Sequence, residues 1–157
     1  MPVAIESAVF IARPLEEVFA FVLDLEKSAA TDPNLVSVVK TSEGPIGVGT
    51  TFVLRQNIQG RLRESTTRLT GIEPNRRIDI DADLGPIAPH MSFAFERAEG
   101  GTRVTVQGAG TPRGLFKLLS RRMQRMGQHA WDERLRHLKV ALEAPRLEPA
   151  AHVPNAK

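Results

Sequence analysis

The sequence predicts an α+β domain in which a curved, seven-stranded antiparallel sheet surrounds one long C-terminal helix, and three observations carry that expectation. Most of the chain falls into short runs divided by Gly, Pro and Asn turns, and the clearest alternate apolar and polar residues with a period of two, as in RRIDIDADL at 76–84. After Gly108 the period changes, and apolar residues recur at helical spacing from Leu115 to Leu142. That last segment is the only large apolar element able to cover the apolar face of the sheet.

Composition agrees with a single folded unit. The 157 residues suffice to bury a core, and 41% hydrophobic with 25% charged residues are globular values. There is no cysteine, which excludes disulfides and thiolate chemistry and suits a reducing cytoplasm. The start MPVAIESAVF lacks a basic region ahead of a long apolar run, which argues against a signal peptide. No run approaches eighteen apolar residues, so no membrane span is expected. One domain over 1–144 is expected, followed by a disordered tail at 145–157, where PRLEPAAHVPNAK holds three prolines and no periodicity.

The elements follow in order. VAIESAVFIA at 3–12 is rich in apolar, partly β-branched residues and predicts a strand. Pro14 then opens a helix, Glu16 and Glu17 favour its N-terminal dipole, and Val18, Phe19, Phe21, Val22 and Leu25 form its buried side. SAATDPN at 28–34 ends this region, with room for one more short turn. Strands are expected at 35–40, 50–57, 61–73, 76–84, 91–97 and 102–108, separated by turn signals such as Pro74-Asn75 and Glu99-Gly100-Gly101. In AGTPRG, Thr111 is a candidate N-cap and Pro112 a first helical residue, although Gly114 moves the regular helix nearer Leu115. Leu115, Leu119, Met123, Met126 and Ala130 form one stripe of that helix, and Trp131, Leu135, Leu138 and Leu142 form another.

Several pieces, taken in order, resemble a known superfamily: FIARPLEEVFAFVLDLEKSAA, GPIGVGTTF, RLTGIEPNRRI, FERAEGGTRVTVQ and ERLRHLKVALE. Together they make the chain similar to START-like, Bet v 1-like helix-grip (SRPBCC) proteins, in the polyketide cyclase/dehydrase and lipid-transport branch, from about Val3 to Glu143. The resemblance implies a seven-stranded sheet around a long helix, two small helices closing one end, and a hydrophobic ligand cavity between sheet and helix. It also implies that the glycine loop lies by the cavity mouth. One departure is visible: many relatives carry tryptophan just before the proline matching Pro33, where this chain has Thr31-Asp32. Fold alone does not settle activity.

Parity then nominates cavity residues. Phe52, Leu54 and Gln56 share one strand face, Ile78, Ile80, Ala82 and Leu84 another, and Met91, Phe93, Phe95, Val104 and Val106 continue it. If Leu69 points inward, so do Thr67, Ser65 and Arg63, which puts a polar streak inside an apolar basket. The expected ligand-binding set is Phe52, Leu54, Gln56, Ser65, Thr67, Ile80, Ala82, Phe93, Phe95, Val104, Leu119, Met123 and Met126. Each apolar member also reads as plain core.

GPIGVGTTF at 44–52 suggests a phosphate cradle, but a Walker A loop needs lysine after its glycines and a helix next, and here a strand follows. His90 and Arg63 are the candidates for catalysis, His90 as general acid/base and Arg63 to orient a carbonyl; an exposed surface position is the simpler account of both. His129, Glu133 and His137 fall at i, i+4 and i+8, yet that spacing drifts off one stripe, so no metal is expected, and no cofactor signature is present. Asp79, Asp81 and Asp83 keep an outer face solvated. Between Thr111 and Arg146 nine Lys/Arg face three acids, a net +6 on a body of −3. That pattern fits a solvated helix face or a module binding RNA or another anionic partner, the latter through Arg121, Arg122 and Arg125. Nucleic acid is not the expected partner; a small hydrophobic ligand is, bound by a monomer or homodimer. The alternative functions are an aromatase/cyclase-like enzyme and the partner- or RNA-binding module.

Overall fold

A computed structural model describes residues 2–145. The expected tail at 145–157 therefore lies, beyond its first residue, outside the described residues. Strand β1 (Val3–Ile11) leads into helix α1 (Leu15–Leu23), the short α2 (Leu25–Ser28) and a 3-10 turn at Ala29–Thr31. Six strands follow: β2 (Leu35–Lys40), β3 (Thr51–Ile58), β4 (Arg61–Glu73), β5 (Arg77–Asp83), β6 (His90–Ala98) and β7 (Gly101–Gly110). A 3-10 segment, Gly114–Leu119, then precedes the long helix α3 (Ser120–Glu143).

All seven strands form one antiparallel sheet in the order β1-β7-β6-β5-β4-β3-β2. The β1–β7 pairing joins the two ends of the sheet sequence, and tight packing at the β6–β7 turn explains Gly101. A Cβ there would stand 2.2 Å from the Ile11 carbonyl oxygen. A bulge interrupts β4 between Leu69 and Gly71, where a Cβ on Gly71 would meet the Asp79 carboxylate at 2.8 Å.

The edge strand β1 is closed by side chains of α3 rather than by another strand. Gln124 accepts from the Ala4 N–H and donates to its carbonyl, and Gln128 does the same for Glu6. Further along, Lys139 donates to the Phe10 carbonyl at 2.6 Å, and Glu143 accepts from the Ala12 N–H at 2.7 Å. Free backbone groups on a sheet edge invite pairing with another chain, and α3 occupies them. Behind this seam Leu135, Leu138 and Leu142 enter the core with Ile11, Val18, Val104 and Val106. At the α1 end Phe19 meets Phe95 edge to face, ring centroids 5.1 Å apart.

The start of the last helix corrects the sequence reading. Thr111 does not cap it and Pro112 is not its first residue: Pro112 is fully buried, and Arg113 is extended, its N–H bonded to the Pro86 carbonyl. Gly114 takes a left-handed φ of +53°, a conformation that breaks a regular first turn, so the α-helix proper spans 24 residues from Ser120.

Candidate functional site

Between the concave sheet face and α3 lies a cavity of about 260 Å³. Its walls are mostly apolar and come from α1 and α2 (Val22, Leu25), the sheet strands β3 to β6, and the stretch of α3 from Gly127 to Leu138. Strand parity explains the strand walls: Leu54 and Gln56, Ser65 to Leu69, Ile78 to Ala82, and Met91 with Phe93 all alternate onto the inner face.

Besides the hydroxyls of Ser28, Thr31, Ser65 and Thr67, one charged, hydrogen-bonded set interrupts the apolar lining. The Gln56 Nε2 donates to Asp32 Oδ2 at 3.0 Å, and Arg134 Nη2 donates to the same oxygen at 3.3 Å. Asp32 is 13% exposed and Arg134 33% exposed, so the pair straddles the boundary between protein and solvent. The Arg134 guanidinium sits 4.7 Å over the Trp131 ring, and Trp131 in turn meets Phe93 edge to face at 5.5 Å. A continuous line thus runs from the apolar wall through an indole to a guanidinium and a carboxylate. Asp32 owes its position to the loop after the 3-10 turn, where its Oδ1 accepts the Asn34 N–H. On the far side of this set is a more polar groove that shares Asp32, Gln56, Ile58, Ala130 and Arg134 with the cavity and adds Asn34, Asn57, His129, Glu133 and His137. Chemically, the wall offers a cation and a hydrogen-bond acceptor beside a mostly apolar volume.

The structure brings Leu54, Gln56, Ser65, Thr67, Ile80, Ala82 and Phe93 together in the cavity wall. Phe52, Phe95 and Val104 are buried but outside that wall; at Phe95 and Val104, α1 packs on β6 and β7 and fills the concave face with Phe19. Leu119, Met123 and Met126 are also outside it. The cavity touches α3 only from Gly127 onward, and Leu119 and Met126 face solvent.

His90 stands on the outer face, its Nδ1 2.7 Å from Asp81 Oδ1, while its neighbours Pro89 and Met91 line the cavity. Asp79 lies beside it. Burial raises the Asp79 pKa, but hydrogen bonds from Ser92 and Arg77 outweigh that and hold it below the ordinary value. Arg63 shares the parity of Ser65 but lies beyond the cavity, paired across strands with Gln56 and exposed. Glu133 is bound by Arg136, whose hydrogen bond lowers its pKa, and among the described residues no group of three or more side chains could hold a metal ion.

None of residues 44–50 lines the cavity. The loop enters β3 at Thr51, whereas Gln56 and Ile58 lie at the other end of that strand. It is also pinned: Gly49, with φ +97°, donates to the Leu69 carbonyl, and Gly47 donates to Thr50 Oγ1.

Sequence reasoning missed Asp32, Trp131 and Arg134 as a group. The signals were present separately: Trp131 and Arg134 are three apart on a helix, and Asp32 occupies the place where the family pattern departs.

A family model described as polyketide cyclase / dehydrase and lipid transport matches residues 2–143. No relative among curated proteins matches. Among solved structures the chain is similar to the Zhui aromatase/cyclase from Streptomyces sp. R1128, with TM-score 0.75, 15% identity and 100% of both chains covered. It is similar also to TTHA0849 from Thermus thermophilus, with TM-score 0.75, 18% identity and 90% of this chain and 99% of that chain covered. Ara h 8.0201 gives TM-score 0.72 at 17% identity, covering 90% of this chain and 98% of that chain. At such identities the likeness speaks for the fold alone. With its curved sheet, long C-terminal helix and the cavity between them, the chain belongs to the polyketide cyclase/dehydrase and lipid-transport family and has the Bet v 1-like helix-grip fold.

Proposed function

We propose that the chain binds a small, mostly hydrophobic ligand bearing one polar group, with the apolar body in the cavity and the polar group at Gln56, Asp32 and Arg134. The observation that carries this reading is the charged, hydrogen-bonded set of Gln56, Asp32 and Arg134 in a mostly apolar wall. Small-molecule sites combine an apolar lining with a few placed polar groups in just this way. A volume of about 260 Å³ lies below the usual range of roughly 300–1,000 Å³, which favours a compact ring compound over a long acyl chain. The same proposal keeps the protein in the cytoplasm, which its cysteine-free sequence suits.

Trp131 is the chain's one tryptophan and lines the cavity, so its fluorescence reports occupancy directly. Titration with N-phenyl-1-naphthylamine and with 2-naphthoic acid is expected to give saturable changes. Ala82→Trp, which fills the cavity, should abolish both; Arg134→Met should weaken the acid selectively. Linear, non-saturating signals with both probes would sink the proposal.

A cyclase-type reaction is the second reading, favoured by Asp32 and Arg134 meeting in an apolar wall. There a carboxylate can move a proton and a guanidinium can stabilise developing enolate charge. On a polyketide-type substrate, Asp32→Asn should depress product formation while His90→Ala leaves it unchanged. The reverse result would return the chemistry to the outer face.

A further inference from the structure

The 3-10 segment Gly114–Leu119 turns its large apolar side chains outward. Leu115 is 83% exposed and Leu118 84%, and Phe116 and Leu119 are also open to solvent. Single exposed leucines are ordinary on a protein surface, but four large apolar residues within five positions form a patch. In a 3-10 helix residues i and i+3 eclipse, so Leu115 and Leu118 project in the same direction, as do Phe116 and Leu119.

The segment is held firmly beneath those side chains. Arg113 donates to the Gly85 carbonyl at 2.8 Å, and its guanidinium pairs with the Asp83 carboxylate at 3.2 Å. Its N–H bonds to the Pro86 carbonyl, Pro112 is buried, and Ser120 Oγ donates to the Lys117 carbonyl. The apolar patch is therefore presented on a fixed platform.

Charge surrounds it. Lys117, Arg121, Arg122 and Arg125 are exposed, and none of the four makes an ion pair among the described residues. No acidic residue occurs between Glu99 and Asp132. Protruding leucines backed by unpaired cations match an anionic lipid interface, where apolar side chains enter the acyl boundary and the cations meet phosphates. RNA would engage the cations but leave Leu115 and Leu118 in water, and only Phe116 could stack on a base.

We propose that Gly114–Arg125 docks this protein on an anionic bilayer surface. No helix among the described residues is long and apolar enough to cross a membrane, so the contact is peripheral. Docking here has a geometric consequence. Leu84 lines the cavity and is itself exposed, and it adjoins Gly85, whose carbonyl Arg113 holds. The cavity rim thus lies beside the docked segment, and an apolar ligand would pass between lipid and cavity with little exposure to water.

The test is co-sedimentation of the full chain with vesicles of phosphatidylcholine alone and of phosphatidylcholine mixed with phosphatidylglycerol. Binding is expected only to the mixed vesicles and should weaken as salt rises. The pair Leu115→Ser with Leu118→Ser, and separately the pair Arg121→Gln with Arg122→Gln, should each weaken it by at least about tenfold. These side chains lie outside the cavity lining, so Trp131 titration with N-phenyl-1-naphthylamine should be unchanged and confirms folding. No binding to mixed vesicles, or binding indifferent to the serine pair, overturns the proposal. So does a concentration-dependent doubling of mass that the serine pair removes, since a second copy would then cover the patch.

Discussion

The two parts of the C-terminal helical region use the same residue types at similar spacings and meet opposite fates. In the second half of α3, Leu135, Leu138 and Leu142 are 2%, 5% and 7% exposed; in the 3-10 segment, Leu115 and Leu118 are more than four-fifths exposed. Nothing in the leucines themselves differs. The second half packs into the core, whereas the first segment starts from Arg113, tied to the β5–β6 loop, and its leucines stay outside that core. A helical apolar stripe therefore specifies a face, while the partner for that face is set elsewhere in the chain.

The largest effect expected from this contrast comes from leucine truncation. Leu138→Ala should destabilise by about 2–5 kcal/mol, and Leu118→Ala should stay within about 0.5 kcal/mol, as read from urea midpoints. Equal losses at the two sites would erase the distinction. Next comes Asp32→Ala, which removes the acceptor shared by Gln56 and Arg134 at the boundary of the buried half. Because Arg134 is one-third exposed, the cost should be about 1–2 kcal/mol, together with weaker binding of 2-naphthoic acid.

A smaller effect tests what holds the first half of α3 down in place of apolar burial. Gln124→Leu removes both hydrogen bonds to Ala4 and should cost about 1 kcal/mol. The loss should appear as faster amide exchange in the first turns of α3, with Leu135–Leu142 unaffected. The smallest effect is a pH slope. At the other end of α3 the Ala12 N–H, and then Lys139, hold the Glu143 carboxyl below its usual 4.5. A depressed carboxyl stabilises the fold above its unfolded value and loses that contribution as pH falls through the folded one. Stability should therefore drop on acidification below about pH 4.5, and Glu143→Gln should flatten the slope in thermal melts.

Much of the sheet was legible because its signals are local. LVSVVK and RLRESTTRLTGIE match β2 and β4 residue for residue, since turn residues bound each run and alternation defines its faces. The helix start was less legible: Thr111-Pro112 has the chemistry of an N-terminus, but the bond from Arg113 to Pro86 keeps the chain extended there. The cavity wall was legible on the strands and misplaced on the helix. Parity on β3 to β6 brought Gln56, Ser65, Thr67 and Ile80 inward, whereas choosing Leu119, Met123 and Met126 required knowing where α3 crosses the sheet.

By itself the sequence determined the order of elements, the inner face of each strand and the presence of one long amphipathic helix. These follow from side-chain periods of two and 3.6 and from residues that bend the backbone. Only the tertiary structure decided that Asp32, Gln56, Trp131 and Arg134 meet at one boundary, because they come from a loop, a strand and a helix up to 102 positions apart. It also decided which leucines are buried, since burial belongs to a pair of surfaces and one helix supplies only the first.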